Sequence, residues 1–230
     1  ILEEKAPLYI AIMNGLNDII KYLLLKCDVN VNDNIISVVN DDDFYYIEEE
    51  YESEAKTTAL FVSVDKENVE IVRFLLSLPK IDVNISPELN KSALHLAIEK
   101  ENIEIVKLLL SNQKIDVNSY CTYKQKLDNG CQEIIERKTP LYLAVERENI
   151  EIVKLLMSHP NIDINANCRY KQIIYENRFT KETTTKKVMT ILHLVVEKEN
   201  IELLTVLLSD PNIDIFNKFI SQKTINDHGY

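Results

Sequence analysis

Apolar residues recur along the chain in pairs of short runs, and a polar turn separates the two runs of each pair. In the run IEIVKLLL, Ile103, Val106, Leu109 and Leu110 are three or four positions apart, with glutamate and lysine between them. This spacing predicts an amphipathic helix with one face in a core and the other in solvent. The preceding run, ALHLAIE at residues 93–99, predicts a second helix. The basic unit is therefore a helix pair.

The same unit occurs five times. The segment ENIEIVKLL at residues 101–109 recurs letter for letter at residues 148–156. A leucine near the start of each copy marks the units: Leu8, Leu60, Leu94, Leu141 and Leu192. Their separations are 52, 34, 47 and 51 residues, so a unit of about 34 residues is intact once and lengthened three times. Because one short helix pair cannot bury its apolar face alone, neighbouring pairs must stack.

The second helix of each unit has clear start and stop signals. In four copies, an asparagine that can accept a hydrogen bond from a free backbone N–H comes first: Asn68, Asn102, Asn149 and Asn200. A proline, which cannot continue the helix, follows in three copies: Pro79, Pro160 and Pro211. We predict a single domain over residues 1–230 with repeats at residues 5–30, 57–84, 91–118, 138–165 and 189–216.

The motifs of these units resemble those of the ankyrin repeat family. TPLYLA at residues 139–144 and ALHLA at residues 93–97 are similar to the family's T-P-L-H-x-A start. EIVKLLL at residues 104–110 resembles its second helix, and DVN at residues 82–84 and 116–118 resembles its ending. The resemblance implies an L-shaped unit of two antiparallel helices with a β-hairpin finger, and a concave face that binds other proteins. We therefore predict an all-α fold, an ankyrin-repeat solenoid of stacked helix-turn-helix units with β-hairpin fingers, three of them extended.

One position departs from the family in most copies. The glycine that the family places between the two helices is present as Gly15, whereas the other copies have glutamate: Glu67, Glu101, Glu148 and Glu199. If these residues keep the left-handed backbone conformation that glycine favours, each costs about 1 kcal/mol of folding free energy. We expect stacking between repeats to offset that cost.

The two end copies are also atypical. Copy one ends in DVN at residues 28–30 without the residues that precede this motif elsewhere, and copy five ends in DIF at residues 214–216. The chain begins with Ile1 instead of methionine, and its last residues, NDHGY, resemble the finger segment that precedes the next T-P-L-H start. We expect this chain to be a fragment of a longer protein in which further repeats follow.

All the extra residues of the lengthened units fall at the finger. The expanded fingers are residues 31–56, 119–137 and 166–188. Insertions at one edge of a repeat protein often build its binding face, and long loops are usually either functional or disordered. We predict extended hairpins for the second and third fingers. For the acidic first finger, a hairpin and a disordered loop are equal alternatives.

Turn signals set the predicted register of the second finger. A turn at Asn129-Gly130 places Lys126 opposite Glu133 and Tyr123 opposite Glu136. The same register places the cysteines at positions 121 and 131 on separate rungs of the hairpin, which argues against a shared metal site.

The third finger has a weaker turn signal. A turn at Glu176-Asn177 would place Ile174 opposite Phe179 and Lys171 opposite Glu182. In the first finger, a turn within residues 41–42 would pair aromatic with β-branched residues.

Charge is distributed unevenly over the fingers. The chain has a net charge of −11, and residues 31–57 contribute −8, residues 119–138 +1 and residues 166–189 +4. The overall negative charge disfavours nucleic acid as a partner. No apolar run is long enough to span a membrane, so we predict no membrane insertion. The four cysteines form no CxxC pair, and there is no signal-peptide pattern, so we predict reduced thiols and an intracellular, cytoplasmic location.

Catalytic and cofactor chemistry has no support in the motifs. His95 and His193 occupy the histidine slot of the ankyrin start, where the resemblance implies that the imidazole ties neighbouring turns by hydrogen bonds. The acidic run at residues 41–43 lacks the alternating ligands of a calcium loop, and none of the three glycines belongs to a phosphate-binding loop. We predict no enzymatic activity, no cofactor and no bound metal.

The predicted contacts lie on the concave face and the fingers. The resemblance implies that the residue pair before the inter-helix turn faces the concave side, although a merely solubilising face is an equal alternative. Finger tyrosines are rigid side chains that interfaces favour, and the alternative is that they pack against each other. The candidate protein-binding residues are Asp65, Lys66, Glu99, Lys100, Tyr123, Glu146, Arg147, Tyr170, Tyr175, Glu197 and Lys198.

These patterns predict a monomeric, non-enzymatic scaffold for protein–protein interaction. The partner's identity does not follow from the fold. The alternative is a regulatory or targeting module of a larger protein, in which an enzyme, channel or cytoskeletal anchor lies outside this chain.

Overall fold

The fold consists of helix pairs and one antiparallel sheet. The computed structural model describes residues 6–27, 29–35, 57–86, 90–127, 132–177, 181–216 and 220–227. The chain divides into two compact units, Ile1–Ile115 and Asp116–Tyr230, which we describe separately.

The first unit contains three helix pairs. Their helices are α1 (Pro7–Met13), α2 (Asn17–Lys26), α3 (Ala59–Asp65), α4 (Val69–Leu76), α5 (Ala93–Glu99) and α6 (Ile103–Leu110). Within this unit each first helix packs on its own second helix, α1 packs on α3, and α3 packs on α5. The second unit contains α7 (Pro140–Glu146), α8 (Ile150–Met157), α9 (Ile191–Glu197) and α10 (Ile201–Leu208). Each of the five predicted repeats therefore contains one helix pair.

The second helices of repeats two to five begin where the asparagines predict. The Oδ1 atom of Asn68, Asn102, Asn149 or Asn200 accepts a hydrogen bond from the backbone N–H three residues later in each case. Burial is partly different from the prediction. Val106 and Leu109 are fully buried, but Ile103 and Leu110 are only half-buried, and Ile105 is fully buried as well. The core stripe of α6 is therefore rotated, because this helix packs against both α5 and α4.

The inter-helix turns adopt the left-handed backbone conformation. Gly15 has φ 65°, and the four glutamates at the same position have φ between 52° and 57°. This confirms the conformation on which the expected cost of Glu67, Glu101, Glu148 and Glu199 depends.

Asparagine side chains at the repeat endings join neighbouring repeats. Asn118 Nδ2 donates to the backbone oxygen of Asn161 at 2.7 Å, and its Oδ1 accepts from the backbone N–H of Asp163 at 2.8 Å. Asn165 makes the same two bonds with the following repeat. The side-chain amide of each asparagine thereby satisfies one backbone oxygen and one backbone N–H of the following repeat.

The ending of the first repeat differs from the prediction. Asn32, not Asn30, donates to the backbone oxygen of Lys80 and accepts from the N–H of Asp82. Val31 is buried like the central residue of the later D-V-N endings. The ending of the first repeat is therefore residues 30–32, two positions later than predicted. The dipeptide VN occurs twice in succession, at residues 29–30 and 31–32, and the prediction used the first.

The prediction of an all-α fold is wrong in one respect, because the second unit also contains a five-stranded antiparallel sheet. Its strands, in spatial as well as chain order, are β1 (Cys121–Leu127), β2 (Gln132–Lys138), β3 (Cys168–Asn177), β4 (Lys181–Met189) and β5 (Ile220–Asp227). The second and third fingers are the hairpins β1–β2 and β3–β4, and they pair with each other through β2 and β3. Extended backbone from adjacent fingers thus satisfies its hydrogen bonds in one shared sheet.

The register of the second finger is confirmed, and that of the third is corrected. Lys126 is opposite Glu133 and Tyr123 opposite Glu136, as predicted. In the third finger, Lys171 lies opposite Lys186 and not Glu182, a shift of four positions. In the structure β3 also pairs with β2, β4 also pairs with β5, and the β3–β4 register shifts between residues 175 and 177. The predicted register took only the turn of the hairpin into account.

The first finger lies mostly outside the described residues, as do the predicted turn and acidic run at residues 41–43. Its foot is described: Ile35 N–H donates to the backbone oxygen of Thr57 at 3.0 Å, and Asn34 Oδ1 accepts from Thr57 N–H at 2.8 Å. Among the described helices, the longest has ten residues, so none could cross a bilayer.

Candidate protein-binding surfaces

The predicted concave-face pairs occupy one position of the repeat. In each repeat the first helix ends at the first residue of the pair, and the second residue is its C-cap: Asp65 and Lys66, Glu99 and Lys100, Glu146 and Arg147, and Glu197 and Lys198. The left-handed residue follows directly and reverses the chain into the second helix. The turn therefore holds these side chains at a fixed place in every repeat.

In the first unit, these charges are largely paired with each other. Asp65 lies 3.0 Å from Lys100 Nζ and 3.9 Å from Lys66 Nζ. Glu99 lies 3.1 Å from Lys91 Nζ, which precedes the same helix. Asp65, Lys66, Glu99 and Lys100 occupy equivalent positions in their repeats, and most of their charge is paired within the protein.

In the second unit, pairing is less complete. Lys198 Nζ lies 3.2 Å from a carboxylate oxygen of Glu148, and Glu146 pairs with Lys138 at 2.8 Å. Arg147 and Glu197 are exposed and have no ion-pair partner within the part of the chain that the structure describes. These two side chains are the most available members of the predicted concave set.

Two of the predicted finger tyrosines, Tyr123 and Tyr170, lie on one face of the sheet. Glu136 is opposite Tyr123 on one side and Tyr170 on the other, and both rings are half-buried. Lys138 Nζ lies 4.9 Å from the centroid of the Tyr123 ring, and Lys187 Nζ lies 5.4 Å from that of Tyr170. Both rings therefore contact lysines of their own sheet as cation–π partners. Burial raises the pKa of Tyr170, and the nearby negative charge of Glu136 raises it further. Tyr175 belongs to β3, but its side chain is outside the description.

A buried lysine between two partly exposed glutamates joins this face of the sheet to α7. Lys138 contacts Glu136 at 2.6 Å and Glu146 at 2.8 Å, and only 8% of its side chain is exposed. Burial lowers the pKa of Lys138, but its hydrogen bonds to Glu136 and Glu146 outweigh that effect, so the pKa is raised overall. Lys138 therefore keeps its charge at neutral pH and joins the finger to the repeat.

The cysteine and histidine positions are structural. Burial raises the pKa of the Cys168 thiol to about 12, so this side chain is a protonated thiol at neutral pH. Cys121, Cys168 and Cys27 are free thiols, while Cys131 lies outside the described residues. Within the described residues, no three histidine, cysteine or acidic side chains are close enough to share a metal ion.

The ankyrin-start histidines complete helix caps. His95 Nδ1 lies 2.8 Å from Ser92 Oγ and accepts from its backbone N–H at 3.2 Å. His193 makes the same contacts with Thr190. These are capping boxes in which the imidazole substitutes for the usual glutamate, so each histidine has a local structural role.

The face of the sheet opposite the tyrosines is basic, which the predicted site did not include. We define the basic sheet face by the residues Lys124, Arg137, Arg169, Lys171 and Lys186. The strand registers place all five on this face, where four are exposed and one, Lys171, is half-buried. The signal in the sequence was the alternation of bases along the strands, but recognising one common face required the pairing of β2 with β3.

Comparisons with known proteins concern the repeats and the fold. A family model described as ankyrin repeats (three copies) matches residues 40–121 and 122–219, and a single ankyrin repeat model matches residues 4–33. The ankyrin repeat domain of Bcl-3, a member of the IkappaB protein family, aligns with TM-score 0.58 and 17% identity over 90% of this chain and 72% of its own.

A second solved structure is similar in fold. It is the predatory endopeptidase Bd0816 from Bdellovibrio bacteriovorus in complex with immunity protein Bd3460, of which one chain aligns with TM-score 0.59 and 16% identity. That alignment covers 94% of this chain and 86% of the other. The comparison with curated proteins finds no match.

Proposed function

Because the chain belongs to the ankyrin repeat family, we propose that it is a non-enzymatic scaffold that binds a protein partner through its concave-face pairs and its extended fingers. Ankyrin repeats are protein–protein interaction modules and are generally non-catalytic. One of the structural neighbours, which is similar in fold, is a complex between two proteins.

The observation that carries this proposal is the five-stranded sheet. Helix pairs complete their cores without it, since the first unit contains three pairs and no strand among its described residues. Ordering its 41 strand residues costs conformational entropy, and one of its faces carries several exposed side chains. Long ordered insertions at one edge of a repeat protein are typical of a binding surface.

The concave-face pairs are the second contribution to the proposed surface. Arg147 and Glu197 are exposed at the ends of α7 and α9, and Lys66 and Lys100 are exposed in the first unit. Exposed charges of both signs steer association and select partners more than they increase affinity. We further propose the reducing cytoplasm as the location of the protein, for which the free cysteines are the support.

Affinity capture followed by chemical cross-linking tests the scaffold proposal. The immobilised full chain is exposed to cell extract, bound proteins are linked through their amines, and the linked lysines are mapped by mass spectrometry. We expect links at Lys66, Lys100 and Lys198 and at the lysines of the sheet. Retention of no protein, or links confined to the second helices, would contradict the proposal.

A pair of matched variants sharpens the test. Lys66→Ala with Arg147→Ala removes two exposed bases from the concave-face pairs. Lys107→Ala with Lys154→Ala removes two exposed bases from the second helices α6 and α8 and changes the net charge equally. We expect only the first variant to retain less partner.

A further inference from the structure

We propose that the basic sheet face binds an aspartate- and glutamate-rich segment of a protein partner, an inference that rests on the proposed function and names the partner chemistry of one surface. Two pairs of like charges lie directly opposite each other on this face: Arg137 beside Arg169, and Lys171 beside Lys186. Like charges at opposite positions of a sheet destabilise the fold. The third-finger register thus places bases together where a four-residue shift would have paired Lys171 with Glu182.

Three bases of the basic sheet face have no carboxylate beside them in the part of the chain that the structure describes. Over the described part of the chain, no carboxylate lies within ion-pair distance of Arg169, Lys171 or Lys186, and the Arg137 guanidinium lies 5.2 Å from the ring centroid of Tyr120. The acidic strand residues of the same face, Glu133 and Glu182, lie in rungs nearer the hairpin ends. The bases therefore form a continuous group towards the helical side of the sheet.

On the opposite face of the sheet, Lys138 and Lys187 contact other side chains of the protein. There Lys138 is buried between two glutamates, and Lys187 lies over the ring of Tyr170. Both of these lysines therefore have a partner that offsets the charge or covers the stem of the side chain. The contrast between the two faces indicates that the basic sheet face is arranged for something outside the chain.

The geometry of the face matches an extended acidic peptide. Its five bases extend across four strands, a width of about 14 Å at the usual strand spacing, and the two on β3, Arg169 and Lys171, are two residues or about 7 Å apart. An extended peptide projects every second side chain in the same direction with the same repeat. Adjacent arginines can each bind a carboxylate through two parallel hydrogen bonds, and the lysines add point charges.

A protein segment fits better than nucleic acid. The chain carries a net charge of −11, which disfavours the binding of a long phosphate backbone. Binding to nucleic acid gains its affinity from many phosphate contacts, whereas five bases on one small surface suit a short acidic stretch. Ile135 and Val188 lie half-buried on the same face and provide apolar contact between the charges.

Fluorescence anisotropy with defined probes tests the inference on the full chain. The probes are a short fluorescein-labelled peptide of alternating glutamate and serine, its glutamine counterpart, and a single-stranded oligothymidine of equal charge. We expect binding of the glutamate peptide that weakens strongly as salt rises. The variant Arg169→Gln/Lys171→Gln/Lys186→Gln should lose affinity about tenfold, because three modest charge contacts are removed.

Two further variants separate binding from folding. The control Lys80→Gln/Lys114→Gln/Lys154→Gln removes three exposed bases elsewhere and should retain the affinity within about twofold. Lys171→Glu places opposite charges at positions 171 and 186, so it should raise the thermal unfolding midpoint while weakening peptide binding.

Several outcomes would overturn the inference: no binding of the glutamate peptide, equal losses in both triple variants, or oligothymidine binding as tightly as the peptide. Its failure is distinguishable from failure of the scaffold proposal. Partners captured equally by the wild type and the basic-face triple variant would leave the scaffold proposal standing and refute this inference.

Discussion

The Glu67 carboxylate accepts a 2.9 Å hydrogen bond from the side-chain amide of Asn102, one repeat further along the chain. Glu67 holds the left-handed turn of its own repeat, and Asn102 Oδ1 caps the second helix of the next. Glu148 and Asn200 repeat the arrangement at 2.9 Å. Glutamate, although unfavourable for that backbone conformation, thus contributes a bond between repeats that glycine could not make.

Replacing the turn glutamates by glycine should therefore have different effects at different repeats. Glu67→Gly relieves about 1 kcal/mol of backbone strain but loses the bond to Asn102, so its effect on the free energy of unfolding should be close to zero. Glu199 has φ 54° and no hydrogen-bonded side-chain partner in the described structure. Glu199→Gly should consequently stabilise the protein by about 1 kcal/mol. Urea unfolding of both variants provides the comparison, and equal stabilisation by both would show that the inter-repeat bond contributes nothing.

Acid should weaken the junction between the first two repeats. Hydrogen bonds from Lys21, and then from Asn17, lower the pKa of Glu70 below its ordinary 4.5. Because the pKa is lower in the folded than in the unfolded chain, this contribution to stability is complete above pH 4.5 and is lost as the pH falls through the folded value. Glu70→Gln should thus be less stable than the wild type at pH 7 and should lose less stability on acidification.

The pH experiment has an internal control. Glu202 is exposed in the first turn of α10, so Glu202→Gln should retain the wild-type dependence of the thermal midpoint on pH. If Glu70→Gln shows the same pH dependence as the wild type, the Lys21–Glu70 contact is not formed in solution.

Truncation of Lys138 should separate the finger sheet from α7. Lys138→Ala leaves Glu136 and Glu146 without the cation between them, and we expect a loss of about 2 kcal/mol in the free energy of unfolding. Lys91 makes the corresponding contact with Glu99 in the third repeat. The Lys91 side chain is 30% exposed, so this contact is more accessible to water. Lys91→Ala should cost less than about 1 kcal/mol, and a larger loss for Lys91→Ala than for Lys138→Ala would contradict this account.

Thiol reactivity should distinguish the cysteines. Cys27 is exposed, whereas Cys121 and Cys168 are buried and the pKa of Cys168 is raised to about 12. In a Cys131→Ser background at neutral pH, one thiol should react rapidly with a disulfide reagent, and two should react only after unfolding. Rapid reaction of three thiols in the folded protein would show that the base of the sheet opens readily.

Local sequence patterns predicted the repeats well for a physical reason. Helix caps such as Asn102, the left-handed turns at Gly15 and Glu67, and the Lys126–Glu133 rung depend on residues within about ten positions of each other. The shift of the core stripe towards Ile105 was not predicted, because it depends on which neighbouring helices a second helix contacts.

The sequence predicts where the candidate residues lie in each repeat, but not which of their charges are paired. The motif placed Asp65, Glu99 and Glu146 correctly at helix ends, but which of them retains an unpaired charge depends on side chains from other elements. Lys100 reaches Asp65 from the next repeat, and Lys138 reaches Glu146 from a strand. A repeat motif describes one unit and contains no information on such contacts.

The sequence by itself determined the five helix pairs, their turns and the hairpin of the second finger, because periodicity, caps and turn residues act over short distances. The tertiary structure decided that two fingers and β5 share one sheet, that Lys171 faces Lys186, and that five bases meet on one surface. A sheet register is a compromise among all the strands that pair, so it is settled only when segments from different repeats are brought together.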